Sequence, residues 1–144
     1  MMKTEFHFLM FKTFHAQRNK IRYHMDEDFG LSPGQPKVLR YIGTHEDCKL
    51  KDIAEECDVE PATVSKILHN LEERGMLTRQ IDQHNKRALQ LRITQKGTTA
   101  LNAWQVHCRE VEEISLKGFD DEEKEQFRTY LARMYENLSG KKIG

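Results

Sequence analysis

Between Leu50 and Gly97 the hydrophobic period changes from helical to strand-like, and no other feature limits the fold as much. Leu50, Ile53, Ala54 and Cys57 recur at helical spacing over about two turns. Cys57-Asp58-Val59 then marks a tight turn, with Val59 as the apolar residue packed between the flanking helices. Pro61 opens a second helical pattern that runs to about Arg74, with Val64, Ile67, Leu68 and Leu71 on one face and Gly75 as a left-handed stop. Glu60, just before it, is a poor capping residue. The period then falls to two. Met76–Ile81 and Leu89–Ile93 read as strands, with Leu89, Leu91 and Ile93 alternating, joined by the polar and basic segment 82–88. Two short helices about a tight turn, followed by a hairpin, describe a winged helix-turn-helix.

The flanks are helical too. An apolar period through Phe6, Leu9, Met10, Phe14 and Ile21 predicts one helix over Thr4–Asp28, broken at Phe29-Gly30-Leu31. Phe8, Phe11 and Tyr23 widen its apolar face, so it needs more than one packing partner. Ser32 and Pro33 predict the N-cap and first position of the next helix, whose buried face is Val38, Leu39 and Ile42. Residues 43–49 read as a polar connection. After the hairpin, a helix over about Gln95–Leu116 turns Trp104, Val111 and Ile114 to an apolar neighbour. Asp120 caps a last helix, and Asp121, Glu122 and Glu123 in its first turn suit the helix dipole. Phe127, Tyr130, Leu131, Met134 and Leu138 form its stripe, and residues 139–144 read as a frayed tail.

The expected fold is therefore mostly α, a single domain over 1–144. Residues of about 32–97 form the winged-helix lobe, and the helices of 1–30 and 98–144 form a dimerisation region. Phe6, Phe8, Phe11, Phe127, Met134 and Leu138 are candidates for interface or core, which periodicity does not separate.

Charge supports this division. The 144 residues carry 23 basic and 23 acidic side chains, but residues 61–97 hold 7 basic against 3 acidic. The positive excess thus sits in the segment that would meet phosphates. No apolar run approaches the roughly 20 residues that span a membrane. Phe6–Phe11 is too short for a secretory signal and no small-residue cleavage site follows it, so a cytoplasmic location is expected. Three cysteines, Cys48, Cys57 and Cys108, without a Cys-x-x-Cys pair, argue against a disulfide framework or zinc ribbon. The seven histidines show no ligand spacing, so neither a metal nor another cofactor is expected. There is no glycine-rich phosphate loop, nucleophile elbow or catalytic carboxylate pair, so an enzyme is not expected.

Taken in order, these segments resemble the MarR-type winged-helix transcriptional regulators. Leu31-Ser-Pro-Gly-Gln35-Pro-Lys-Val38-Leu39 is similar to that family's Leu-Thr-x-x-Gln-x-x-Val-Leu, and Leu50-Lys-Asp-Ile53-Ala54 to its Leu-x-x-Leu-Ala. Thr63-Val64-Ser65, with Leu71 through Arg79, resembles its recognition helix and first wing strand. Leu91-Arg92-Ile93-Thr94-Gln95-Lys96-Gly97 resembles the exit from its wing. The chain departs from the pattern at the wing tip. Asn85-Lys86-Arg87 stands where the family has Asp-x-Arg, so an amide replaces the carboxylate that orients the arginine, unless Asp82 substitutes.

The resemblance implies a homodimer that binds a pseudo-palindromic stretch of double-stranded DNA, most often as a repressor. Pro61, Ala62, Thr63, Ser65, Lys66 and His69 fall at the start and on the polar side of the recognition helix, suited to phosphates and base edges. Lys86 and Arg87 would enter or flank the minor groove. Arg79 would hold a phosphate or pair with a nearby acid. Many family members are released from DNA by small aromatic or phenolic acids, and Arg18 and Arg22 on the first helix are the cations that would meet such a carboxylate, if they are not plain surface charges. The alternative is a winged helix used for protein contact without specific DNA binding, which the modest charge excess and altered wing tip keep open.

Overall fold

The computed structural model describes residues 5–45, 47–81, 84 and 89–143. Along the chain run α1 (Phe6–Arg22), α2 (Met25–Phe29), α3 (Gln35–Thr44), β1 (Asp47–Cys48), α4 (Leu50–Cys57) and α5 (Pro61–Glu73). Then follow β2 (Leu77–Ile81), β3 (Leu89–Ile93), α6 (Gln95–Ser115) and α7 (Asp121–Ser139). The three strands form one antiparallel sheet in the order β1-β3-β2, with Leu77 opposite Ile93 and Arg79 opposite Leu91. The chain divides into two compact units, Met1–Arg109 and Glu110–Gly144.

In the first unit the core is that of a winged helix. Leu31, Val38, Leu39, Ile53, Val64, Leu68, Leu71, Leu77 and Leu91 are all fully buried. Each contributes on the order of 1.5–3 kcal/mol of burial relative to exposure. Leu31 comes from the α2–α3 connection and the rest from α3, α4, α5, β2 and β3, so the helix-turn-helix and the wing share one core. Val59 packs against it from the turn, where Asp58 takes the left-handed conformation at φ 53° and the Val59 N–H donates to the Ala54 carbonyl at 3.0 Å.

Four sequence expectations are corrected. The first helix is not continuous to Asp28: it ends at Arg22, and His24, left-handed at φ 52°, starts the separate α2. The break turns Met25 into the core at 4% exposure, while α1 buries no residue of its own. The next helix begins at Gln35 and not at Pro33, because Ser32-Pro33-Gly34 forms a turn closed by the Gln35 N–H on the Ser32 carbonyl at 3.1 Å. Gly34, at φ 90°, holds the cap position given to Ser32, and Pro36 holds the first-turn place given to Pro33. Within the expected connection 43–49, α3 continues to Thr44 and Asp47–Cys48 forms β1 on the edge of β3. On α6, Trp104 is half-buried against Phe29 and Val111 is buried, but Ile114 is 57% exposed.

In the second unit α7 starts as expected. Asp120 Oδ1 accepts from the Glu123 N–H at 2.8 Å and Glu123 Oε1 accepts from the Asp120 N–H at 3.0 Å, a reciprocal capping box. The helix ends at Gly140, left-handed at φ 73°.

Candidate nucleic-acid interface

Helix α5 is built to bury one face and offer the other. At about 100° per residue, Val64, Leu68 and Leu71 fall on one stripe, and all three are fully buried. Ser65, Lys66 and His69 fall on the opposite side and are exposed, as are Pro61, Ala62 and Thr63 in the first turn. Glu60 provides no side-chain cap, so the first-turn N–H groups are left to an outside acceptor. A helix N-terminus in that state favours an anion such as phosphate.

Two of the expected DNA-contact residues are engaged within the chain. Arg79 Nε lies 3.3 Å from Glu72 Oε2, so of its two expected roles the isolated chain shows the acid pair. His69 Nε2 lies 3.1 Å from Glu73 Oε1, one turn further along α5. Surface pairs of this kind contribute roughly 0–1 kcal/mol, little enough for a phosphate to displace. Lys86 and Arg87, with Asn85 and Asp82, lie outside the described residues.

The sequence reading missed the residues that hold α5 in place. Gln35, only 3% exposed, accepts from the Ser32 N–H through Oε1 at 2.8 Å and donates through Nε2 to Asn70 Oδ1 on α5 at 2.6 Å. Arg74 Nη1 donates to the Gly30 carbonyl at 2.6 Å and to Asp26 Oδ1 at 2.9 Å, and Nη2 donates to Ser32 Oγ at 3.0 Å. The C-terminal end of α5 is closed from the start of α6 and the residue before it: Thr94 Oγ1 donates to the Gly75 carbonyl at 2.7 Å and Lys96 Nζ to the Arg74 carbonyl at 2.7 Å. Gln35 and Arg74 stood inside recognisable motifs, but nothing in their spacing distinguishes a buried polar tether from a surface amide and cation.

Neither Arg18 nor Arg22, the arginines expected at an effector site, is among the residues that line the open cleft of the first unit. Arg18 lies over the Phe14 ring of its own helix at 5.0 Å, and Arg22 is exposed at the end of α1. That cleft, of about 680 Å³, is lined by Asp26, Phe29, Arg74, Met76, Lys96 and Ala100 among others. Cys48 and Cys57 are buried and Cys108 half-buried, and burial pushes all three thiols above their ordinary range.

A helix-turn-helix sharing its core with an antiparallel hairpin defines a winged-helix protein. Residues 31–89 match the family model of the MarR family. The HTH-type transcriptional repressor YetL of Bacillus subtilis is 27% identical over 124 residues, which cover 84% of this chain and 74% of YetL. The DNA complex of MepR from S. aureus is similar in structure at a TM-score of 0.77 and 25% identity, covering 94% of this chain and 97% of that one. A MarR-family transcriptional regulator from Silicibacter pomeroyi shares the fold at a TM-score of 0.75 and 21% identity, covering 94% and 90%. No helix among the described residues is long and apolar enough to cross a membrane.

Proposed function

We propose that the chain is a homodimeric repressor of a pseudo-palindromic operator, with α5 in the major groove and the wing in or beside the minor groove. The observation that carries this reading is the division of α5. Its apolar stripe is fully buried, while Pro61, Ala62, Thr63, Ser65, Lys66 and His69 face outward around an uncapped N-terminus. Similarity to a repressor and to a chain solved on DNA supports it. Thr63, Ser65 and Lys66 meet phosphates and base edges, His69 reaches one turn further, and Arg79 exchanges Glu72 for a phosphate. Lys86 and Arg87 supply the wing contact.

Dimerisation uses the flanking helices. Phe6, Phe8, Phe11, Phe127 and Leu138 are all exposed in the single chain, and Met134 is half-buried. Apolar faces of that extent are suited to a second copy. A small aromatic acid is the effector class this reading carries, with Arg18 and Arg22 as its candidate cations.

Fluorescence anisotropy on palindromic duplexes, across a salt series, tests the proposal. Tight binding by two chains, a steep fall of log K with log salt, and weakening by Arg87→Ala are expected. Weak, sequence-blind binding with no effect of Arg87→Ala would favour a winged helix used for protein contact, a reading to which the pairing of Arg79 and His69 with acids lends some weight.

A further inference from the structure

We propose that Gln35, Asn70 and Arg74 form a polar strut that fixes the roll of α5 about its own axis, making them positioning residues for base recognition. The inference rests on the DNA-binding reading above. Asn70 and Arg74 are four residues apart, so they share one flank of α5, between its buried stripe and its outward side. Among the described residues, the hydrogen-bond partners of both side chains lie in the short segment from Asp26 to Gln35.

The core beneath α5 is aliphatic. Val64, Leu68 and Leu71 resist separation, but contact between such side chains is non-directional and tolerates small rotations. A hydrogen bond does not, because it weakens steeply with angle. A roll of 20° would displace an outward side-chain tip by about 2 Å, given a helix radius of about 5–6 Å with side chains. That is enough to lose a bidentate contact to a base edge while leaving attraction to phosphates largely intact.

The Gln35 amide is fixed in orientation by its surroundings. The Ser32 N–H can only donate, so the oxygen of Gln35 must face it and the nitrogen must face Asn70. Among the described residues, no buried side-chain polar atom is left without a partner. Arg74 adds three acceptors to one guanidinium, a fork that lysine has no geometry to reproduce. On the opposite flank, Glu72 meets Arg79 of β2 in the free chain, a surface pair that DNA can displace, so the strut is the tether that persists on the duplex.

The test compares two affinities of the same protein: for a duplex that the wild-type chain enriches from a randomised pool, and for random-sequence duplex of equal length. The ratio cancels any change in folded fraction, which a purely structural role would alter. The paired variant Gln35→Met with Asn70→Leu removes the amide bond without leaving half of it behind, and Arg74→Met removes the fork. Each is expected to lower the ratio at least about tenfold, with random-duplex affinity within about twofold of wild type. Asn70→Asp keeps an acceptor opposite Gln35 and is expected to retain the ratio. An unchanged ratio in the paired variant and in Arg74→Met, an equal fall of both affinities, or a lost ratio in Asn70→Asp would overturn the strut. A wild-type chain that enriches no sequence would overturn the DNA reading and the strut with it.

Discussion

A Cβ built on Gly97 would lie 2.2 Å from the Met76 carbonyl oxygen and 2.9 Å from Ile93 Cγ1. The first turn of α6 is pulled this close because the Thr94 N–H donates to that same carbonyl at 3.0 Å, while the Gly97 N–H donates to Thr94 Oγ1 at 3.1 Å. Backbone cannot yield as a side chain does, so Gly97→Ala is expected to destabilise the chain by about 3 kcal/mol, read as a lower urea midpoint at unchanged slope. The glycine was visible in the sequence as part of a motif, but its reason, a carbonyl twenty-one positions upstream, was not. The thiols give a second expectation at this scale. Burial raises all three, so each holds less thiolate at a given pH than a free cysteine. In native protein at pH 8, iodoacetamide should label half-buried Cys108 before buried Cys48 and Cys57, and denaturant should abolish the order. Mass spectrometry of the labelled peptides checks it.

Elements were legible where their signals are local. Helix α7 is the clearest case: Asp120 and Glu123 stand three apart, and the structure joins them reciprocally. Asp120→Ala is expected to cost about 1 kcal/mol of stability and to speed hydrogen exchange at the Glu123 amide, which loses its acceptor. The α4–turn–α5 unit and the two wing strands were legible for the same reason, since period, turn chemistry and a terminal glycine agree within a few residues. What escaped depends on distant partners. Two residues have no periodicity, so β1 exists only because β3 offers Gln90 and Leu89 as neighbours. The break at Tyr23-His24 carries neither glycine nor proline; it follows from the gain of burying Met25, together with the His24 Nδ1 contact to Glu27 Oε2 at 2.5 Å. For the candidate site, the outward residues of α5 followed from helical phase alone. The residues that orient that helix did not, because a buried glutamine reads as polar until its partners are in place.

At the scale of the whole molecule, α1 and α7 set the problem that the proposed second copy would solve. Phe8, Leu9, Phe11 and Phe14 on α1, and Phe127, Tyr130 and Leu131 on α7, are exposed in the 17.0 kDa chain. A monomer would show large apolar patches to water. Sedimentation equilibrium should therefore return about twice the chain mass, and Phe11→Glu or Leu131→Glu should shift it toward one. The stoichiometry on DNA can be read separately, from electrostatics. Each neutralised phosphate contributes about 0.9 to the slope of log K against log salt on B-form DNA. Lys66 is exposed on the outward side of α5, where its ammonium can neutralise a phosphate and donate hydrogen bonds to it. Lys66→Ala should therefore flatten the slope by about 1.8 when two recognition helices are engaged, and by about 0.9 when only one is. A change near the larger value requires both copies to be seated on the duplex, so one substitution measures the contact and counts the chains.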